Sequence, residues 1–230
     1  MGSVVFGSAG RNRKMTFCSG DLDMHLPMSW TPPEGTVGLI FDCDGTLADT
    51  MPIHFVSWSA MLQPHGLRFP EARFFALAGM PPQRIIQRLA DEQGKAFAAA
   101  DVARMVADKE RRYVELLPAV VPVAVVLEVA RRFRGVLPMA VASGSDGWVV
   151  RRTLEVIGAL DWFDTVVGAE DTARHKPEPD VFLEAARRLG LEPKGCVVFE
   201  DADLGMEAAS RAGMHGVDVR AWLTAAASGE

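Results

Sequence analysis

Val37 to Thr50 reads VGLIFDCDGTLADT, and this stretch decides the fold. Its first five residues are apolar apart from Gly38, a short run that fits a strand buried on both faces, and such a strand needs neighbours in a parallel sheet. Two aspartates follow where the strand ends, Asp42 and Asp44, separated by Cys43 and followed by Gly45 and Thr46. Strand alternation turns Cys43 away from the aspartates, into the role of a small apolar filler. The two like charges would repel one another unless a cation joined them.

The neighbours that this strand requires come late in the chain. From Val136 onward VLPMAVAS, FDTVVGAE, GCVVFED and HGVDV alternate with helical stretches beginning near Gly147, running from Pro179 to Leu189, and beginning near Leu204. Strands alternating with helices at this spacing predict βαβ units, hence an α/β, Rossmann-like, doubly wound parallel sheet. Between Pro52 and Arg132 there is no convincing strand, and the helical stretches include Pro81 to Ala90 and Phe97 to Leu116. The expected organisation is an N-terminal extension and linker over 1–34, an α/β core over 35–51 and 133–230, and an α-helical cap over 52–132. The two connections, near Ala48 to Pro52 and near Arg132 to Gly135, are expected to act as hinges.

Composition narrows the function. The chain has 230 residues, 49% of them hydrophobic and 23% charged, enough to bury a sizeable core. A net charge of −6 argues against a broad nucleic-acid or anionic-membrane surface, either of which needs a basic field. The longest apolar run, Leu116 to Leu127, is shorter than the ~20 residues of a membrane span and contains Pro118 and Pro122. Arg11, Arg13 and Lys14 follow the short N-terminal apolar piece rather than precede it, unlike a signal peptide. Cys18, Cys43 and Cys196 show no paired spacing, and the expected compartment is a reducing cytoplasm.

In open α/β sheets the ligand lies beyond the carboxyl ends of the strands. Four strand ends deliver chemistry there: Asp42 and Asp44; Ser143 and Gly144 before a helix; Lys176 in RHKP; and Glu200 with Asp201. Clustered carboxylates with an all-oxygen donor set suit Mg²⁺, which takes one or two carboxylates together with substrate phosphate. Asp42 and Asp201 are the candidate side-chain ligands. Ser143 and the backbone N–H groups after it, at a helix N-terminus, form an anion site, and Lys176 adds a point charge. Asp42 is ionised at neutral pH and can attack phosphorus, while Asp44, two residues on, can protonate the leaving oxygen and later deprotonate water.

These residues carry a family resemblance. FDCDGTLADT, the Ser143 of VASGSD, the Lys176 of HKPEPD and the Glu200-Asp201 of VVFEDADLGMEAA resemble, in order, the four motifs of the haloacid dehalogenase-like superfamily. The resemblance spans roughly Val37 to Val219. Helices inserted after the first motif resemble the mobile cap of the β-phosphoglucomutase-like subfamily, and CVVFEDADLGMEAASRAGMHGVDVR is similar to its fructose-1-phosphate and 6-phosphogluconate phosphatase members. The resemblance implies Asp42 as nucleophile and metal ligand, and Asp44 as acid/base whose backbone carbonyl also meets Mg²⁺. It makes Ser143 and Lys176 phosphate binders, Asp201 a metal ligand, and Glu200 a further ligand or organiser of water. The dehalogenases and phosphonate-cleaving relatives lack the second aspartate, so Asp44 argues against both chemistries.

The expected activity is Mg²⁺-dependent hydrolysis of a small-molecule phosphate ester, with sugar phosphates as the substrate class. The alternatives are a sugar-phosphate mutase and a non-catalytic phosphosugar-binding module. Thr46, where the mutase carries valine, and Asp146-Gly147, where it carries lysine and asparagine, favour hydrolysis. In the cap, His54 and Arg84 resemble positions that face the catalytic pocket. Trp58, Trp148 and Trp162 are expected in packing roles, His175 as surface decoration, and the mixed run Asp108 to Arg112 as the solvated face of a cap helix.

Overall fold

The computed structural model describes residues 30–228 of the chain, with side chains to residue 224; Cys18 and most of the N-terminal extension lie outside the described residues. Five parallel strands form one sheet in the order β3-β2-β1-β4-β5: β1 (Gly38–Phe41), β2 (Met139–Ala142), β3 (Thr165–Val167), β4 (Cys196–Glu200) and β5 (His215–Asp218). The stretch that opened the sequence therefore supplies the central strand. Ile40 pairs with Ala140 on one side and Val198 on the other. Its alternation divides the core. Leu39 and Phe41 join one apolar cluster, which also holds Cys43, and Ile40 joins the opposite one.

Helices cover both faces, as the alternating pattern predicts. Val125, Val126 and Val129 of α5 (Ala124–Phe133) and Val150 and Leu154 of α6 (Gly147–Val156) pack on the Leu39 face. On the Ile40 face lie Val181, Phe182 and Ala185 of α7 (Asp180–Leu189), with Ala208 and Ala209 of α8 (Asp203–Arg211). Phe41 stacks on Phe199 at 4.6 Å between ring centroids, and Trp30 meets Phe199 edge-on at 5.0 Å. Trp30 thus ties the end of the stretch expected to be a linker to the core. A final helix, α9 (Arg220–Ser228), escaped the sequence reading, and its Trp222 and Leu223 pack partly against the same cluster.

Between β1 and β2 the chain forms α1 (Met51–Leu62), α2 (Glu71–Ala76), α3 (Pro82–Glu92) and α4 (Ala99–Leu116) before α5. The first four share a core of their own, built on Trp58, Leu62, Phe69, Phe74, Ile86, Leu89 and Met105. α5 does not join it: Val126, Val129 and Ala130 face the sheet. The two crossings between the layers run side by side, since Asp49 N–H donates to the Val121 carbonyl at 3.0 Å and Val123 N–H to the Leu47 carbonyl at 2.9 Å. The second connection lies at Val120 to Val123, about ten residues before the expected Arg132 to Gly135. The apolar run Leu116 to Leu127 hid it, because one run contains a helix end, the crossing and the start of a core helix. Among the described residues no helix is long and apolar enough to cross a membrane.

Tyr113 joins the layers. Thr153 Oγ1 on α6 gives its proton to the Val149 carbonyl, so the Tyr113 hydroxyl donates to Thr153 Oγ1 at 2.8 Å in a fully buried contact. Tyr113→Phe should therefore lower unfolding stability by about 1 kcal/mol, measured by urea denaturation. An unchanged midpoint would show that this bond does not couple α4 to α6.

Candidate active site

Asp42 and Asp44 part company as soon as β1 ends. Asp42 N–H still donates to the Phe199 carbonyl of β4 at 2.9 Å, which fixes its carboxylate at the sheet edge. Gly45, at φ +88°, turns the chain, and a Cβ there would lie 2.3 Å from Asp201 Oδ2. The turn brings Thr46 Oγ1 to donate to Asp201 Oδ1 at 2.9 Å.

Lys176 sits at the centre of the charges. Its ammonium donates to Asp42 Oδ1 and Glu200 Oε1, each at 2.6 Å, and it is 3% exposed. The other Glu200 oxygen accepts from the backbone N–H groups of Asp201 and Ala202 at 2.6 and 2.7 Å. Both Glu200 oxygens are therefore engaged, and Glu200 orients Lys176 and the loop that carries Asp201.

Asp44 occupies a separate network. Oδ1 accepts from Thr50 Oγ1 at 2.8 Å and meets His54 Nε2 at 3.0 Å; Oδ2 accepts from Ser145 Oγ at 2.8 Å and Ser143 Oγ at 3.4 Å. Burial pushes this carboxyl up, but the charge of His54 and the bonds from His54, Ser145 and Thr50 outweigh it, holding Asp44 well below the usual carboxylate range. His54 stacks on Tyr113 at 4.2 Å, which holds the imidazole against the carboxylate.

The remaining carboxylates behave oppositely. Burial drives Asp42 well above the usual range despite the opposing pull of Lys176, with Glu200, Asp201 and Asp44 adding to the rise. Burial and then Glu200 push Asp201 up to about 7. Lys176 is raised above its usual value: burial works against its charge, but Asp42 and Glu200 prevail. One ammonium thus serves more negative charge than it neutralises. Oxygen atoms of Asp42, Glu200 and Asp201 all lie within 4.8 Å of one another. Crowded, all-oxygen donors, with the Asp42 and Asp201 carboxyls raised by burial, fit a hard divalent cation that would offset the charge.

The sequence-derived site residues are brought together in part. Asp42, Asp44, His54, Ser143, Gly144, Glu200 and Asp201 line one cavity of about 60 Å³, and Lys176 closes it by its bonds to Asp42 and Glu200. Arg84 does not line that cavity. It is exposed on α3, in a neighbouring groove with Arg88, Arg174 and His175. Gly79 of the cap lies against Gly144, where a Cβ would be 2.4 Å from the Gly79 carbonyl oxygen, so the cap is closed onto the core. The cavity has room for a few water molecules.

Sequence reasoning missed Ser145, Thr50 and Lys109. Thr50 and Ser145 are ordinary loop residues until the fold places them on Asp44. Lys109 corrects the expectation of a solvated run from Asp108 to Arg112: it is 1% exposed and lines the cavity, and Glu110 is 3% exposed. The signal was the spacing Met105, Lys109, Tyr113, a four-residue repeat that places Lys109 on the buried face of α4. Trp58 is buried in the cap core and borders the cavity, Trp162 is half-buried against the sheet, and Trp148, expected to pack, is 49% exposed on the first turn of α6.

The profile of the haloacid dehalogenase-like hydrolases matches residues 37–213. The chain belongs to the haloacid dehalogenase-like hydrolases. Fructose-1-phosphate phosphatase YqaB of Escherichia coli is 41% identical over 187 residues, 81% of this chain and 98% of that protein. Hexitol phosphatase A of Escherichia coli is 33% identical, over 80% of this chain and 83% of its own. The solved β-phosphoglucomutase of Clostridium difficile superposes with a TM-score of 0.74 at 24% identity, over 80% of this chain and 84% of that one, and so shares the fold. Three of the four motif ends line one cavity, and Lys176 of the remaining motif is bonded to Asp42 and Glu200 on its wall.

The raised Asp201 carboxyl gives a pH dependence with a definite sign. Below about 7 Asp201 holds a proton that an incoming cation must displace. Affinity for Mg²⁺ should fall as pH is lowered from 8 to 6, with proton release on binding, measured by calorimetry in buffers of different ionisation enthalpy. Affinity independent of pH with no proton release would contradict this account.

Proposed function

We propose that the protein is a Mg²⁺-dependent phosphatase of small phosphorylated sugars or polyols, working through an aspartyl-phosphate on Asp42. The observation that carries this reading is the division of labour between two aspartates on one turn: Asp42 faces the Lys176 ammonium and the acidic cluster, while Asp44 is held by hydroxyls and His54. A phosphoryl group beside Asp42 would meet the Lys176 ammonium and the loop from Ser143 to Ser145. A bound Mg²⁺, held by Asp42, Asp201 and the Asp44 carbonyl, would neutralise phosphate charge and the carboxylate crowding.

Asp42 Oδ attacks phosphorus as the ester P–O bond breaks, and a proton from Asp44 goes to the departing oxygen. The closed arrangement makes Asp44 strongly acidic beside His54, 3.0 Å away, which favours release of that proton to the departing oxygen. Water then attacks the phosphorus of the aspartyl-phosphate, Asp44 accepts its proton, and inorganic phosphate leaves with Asp42 restored. Ser143 Oγ also accepts from Ser145 N–H at 3.0 Å, which shapes the loop around the anion.

The substrate class is supported by the relatives, whose names specify fructose 1-phosphate and hexitol phosphates. The Thr46 hydroxyl is committed to Asp201, a contact a valine could not make, and this supports hydrolysis over isomerisation. Closure of the cap, with helices α1 to α4 as the moving body and Leu47 to Thr50 and Val120 to Val123 as hinges, would exclude water while the phosphoryl group moves.

Phosphate release from a panel of hexose and hexitol monophosphates should require Mg²⁺. Asp42→Asn should lower kcat by about a thousandfold or more while circular dichroism shows the fold intact. Undiminished release by this variant would exclude Asp42 as the nucleophile.

A further inference from the structure

Lys109 and Glu110 are consecutive residues on α4, and consecutive helical side chains do not face one another. Both are nevertheless buried, and they look in different directions. Lys109 lines the catalytic cavity, whereas Glu110 lines a groove between α4 and α6 with Val106, Val114, Asp146 and Trp148. The Lys109 ammonium bends back to donate to Glu110 Oε1 at 2.9 Å. It also lies 5.6 Å from the Trp58 ring centroid and 5.3 Å from that of Tyr113. Glu110 Oε2 has no hydrogen-bond partner among the described residues, so Lys109 is the one hydrogen-bonding counter-charge of a buried carboxylate.

This arrangement has a consequence for the substrate. We infer that Glu110 sets leaving-group specificity: by holding the Lys109 ammonium in a buried neutral pair at the cap side of the cavity, it selects monophosphate esters of uncharged polyols against esters bearing a second phosphate. The inference rests on the phosphatase reading of the site.

A second phosphate reaching the cap wall would have to draw Lys109 from Glu110, leaving a carboxylate buried without compensation beside the new anion. Asp146, on the same groove as Glu110, adds a further negative group on that side. A neutral polyol meets neither penalty. An ammonium has three protons and Lys109 gives one to Glu110, so those that remain can be donated to hydroxyl oxygens without breaking the pair. Lys109 supplies the contact and Glu110 acts through it, as a positioning residue.

The test uses the full chain with Asp42→Asn to slow turnover, saturating Mg²⁺, and calorimetric titration with fructose 1-phosphate and fructose 1,6-bisphosphate. With Glu110 intact the monophosphate should bind about tenfold tighter or more, despite its lower charge, because the bisphosphate meets like charge at the cap wall. Glu110→Gln should tighten the bisphosphate about tenfold while moving the monophosphate far less. Lys109→Gln with Glu110→Gln should lose that gain, because the gain comes from the freed ammonium.

Equal or tighter bisphosphate binding with Glu110 intact overturns the inference, and that measurement needs no cap variant. An unchanged ratio in Glu110→Gln, or a gain that survives in the double variant, overturns it as well. Persistent turnover by Asp42→Asn would instead count against the proposed mechanism, and the binding ratio would still report on Glu110.

Discussion

The structure depends on one buried ammonium. Lys176 bridges Asp42 and Glu200 at 2.6 Å each, in a place where Asp201 and Asp44 add their own charge. Removing a buried cation from between two carboxylates leaves charges that water cannot reach, a far larger penalty than losing a surface ion pair. Glu200 is in turn fixed by the backbone N–H groups of Asp201 and Ala202, and Asp42 by its backbone bond to β4. The sheet order that puts β1 beside β4 is what makes this cluster possible, since Asp42 and Glu200 leave neighbouring strands at the same edge.

The same cluster explains why the cap sits where it does. Gly79 packs on Gly144, a Cβ at Gly79 would lie 3.3 Å from Lys176 Cδ, and His54 from α1 reaches Asp44. The cap therefore completes the hydrogen-bond network of Asp44, whose carboxyl is pushed up by burial but held well below the usual range by His54, Ser145 and Thr50. On the proposed cap motion, opening would separate His54 from Asp44 and change the acidity of Asp44, coupling admission of substrate to proton transfer through one 3.0 Å contact.

Much of this was legible in the sequence because it is periodic or local. The central strand, its later partners and the helices between them follow from apolar alternation, and Asp42, Asp44, Ser143, Lys176, Glu200 and Asp201 follow from where strands must end. What was not legible depends on long-range packing. Thr50 and Ser145 became ligands of Asp44 only through the turn after β1 and the loop after β2. Lys109 and Glu110 looked like a solvated charge run because composition outweighed the four-residue spacing from Met105 to Tyr113. The second crossing was displaced because Leu116 to Leu127 is uniformly apolar across three structural contexts. Arg84 follows the apolar rhythm of α3 closely, yet that rhythm turns Ile85 and Ile86 inward and leaves Arg84 outside the catalytic cavity.

The central claim is that Asp42 becomes covalently phosphorylated during each turnover. Acid quenching of the Mg²⁺-loaded protein during steady-state hydrolysis of a sugar phosphate, followed by peptide mapping by mass spectrometry, tests it most directly. The account predicts a phosphoryl group on the peptide containing Asp42, assigned to that carboxylate and lost when substrate is exhausted. Steady turnover with no phosphoryl group on Asp42, or with the group on another residue, would contradict it.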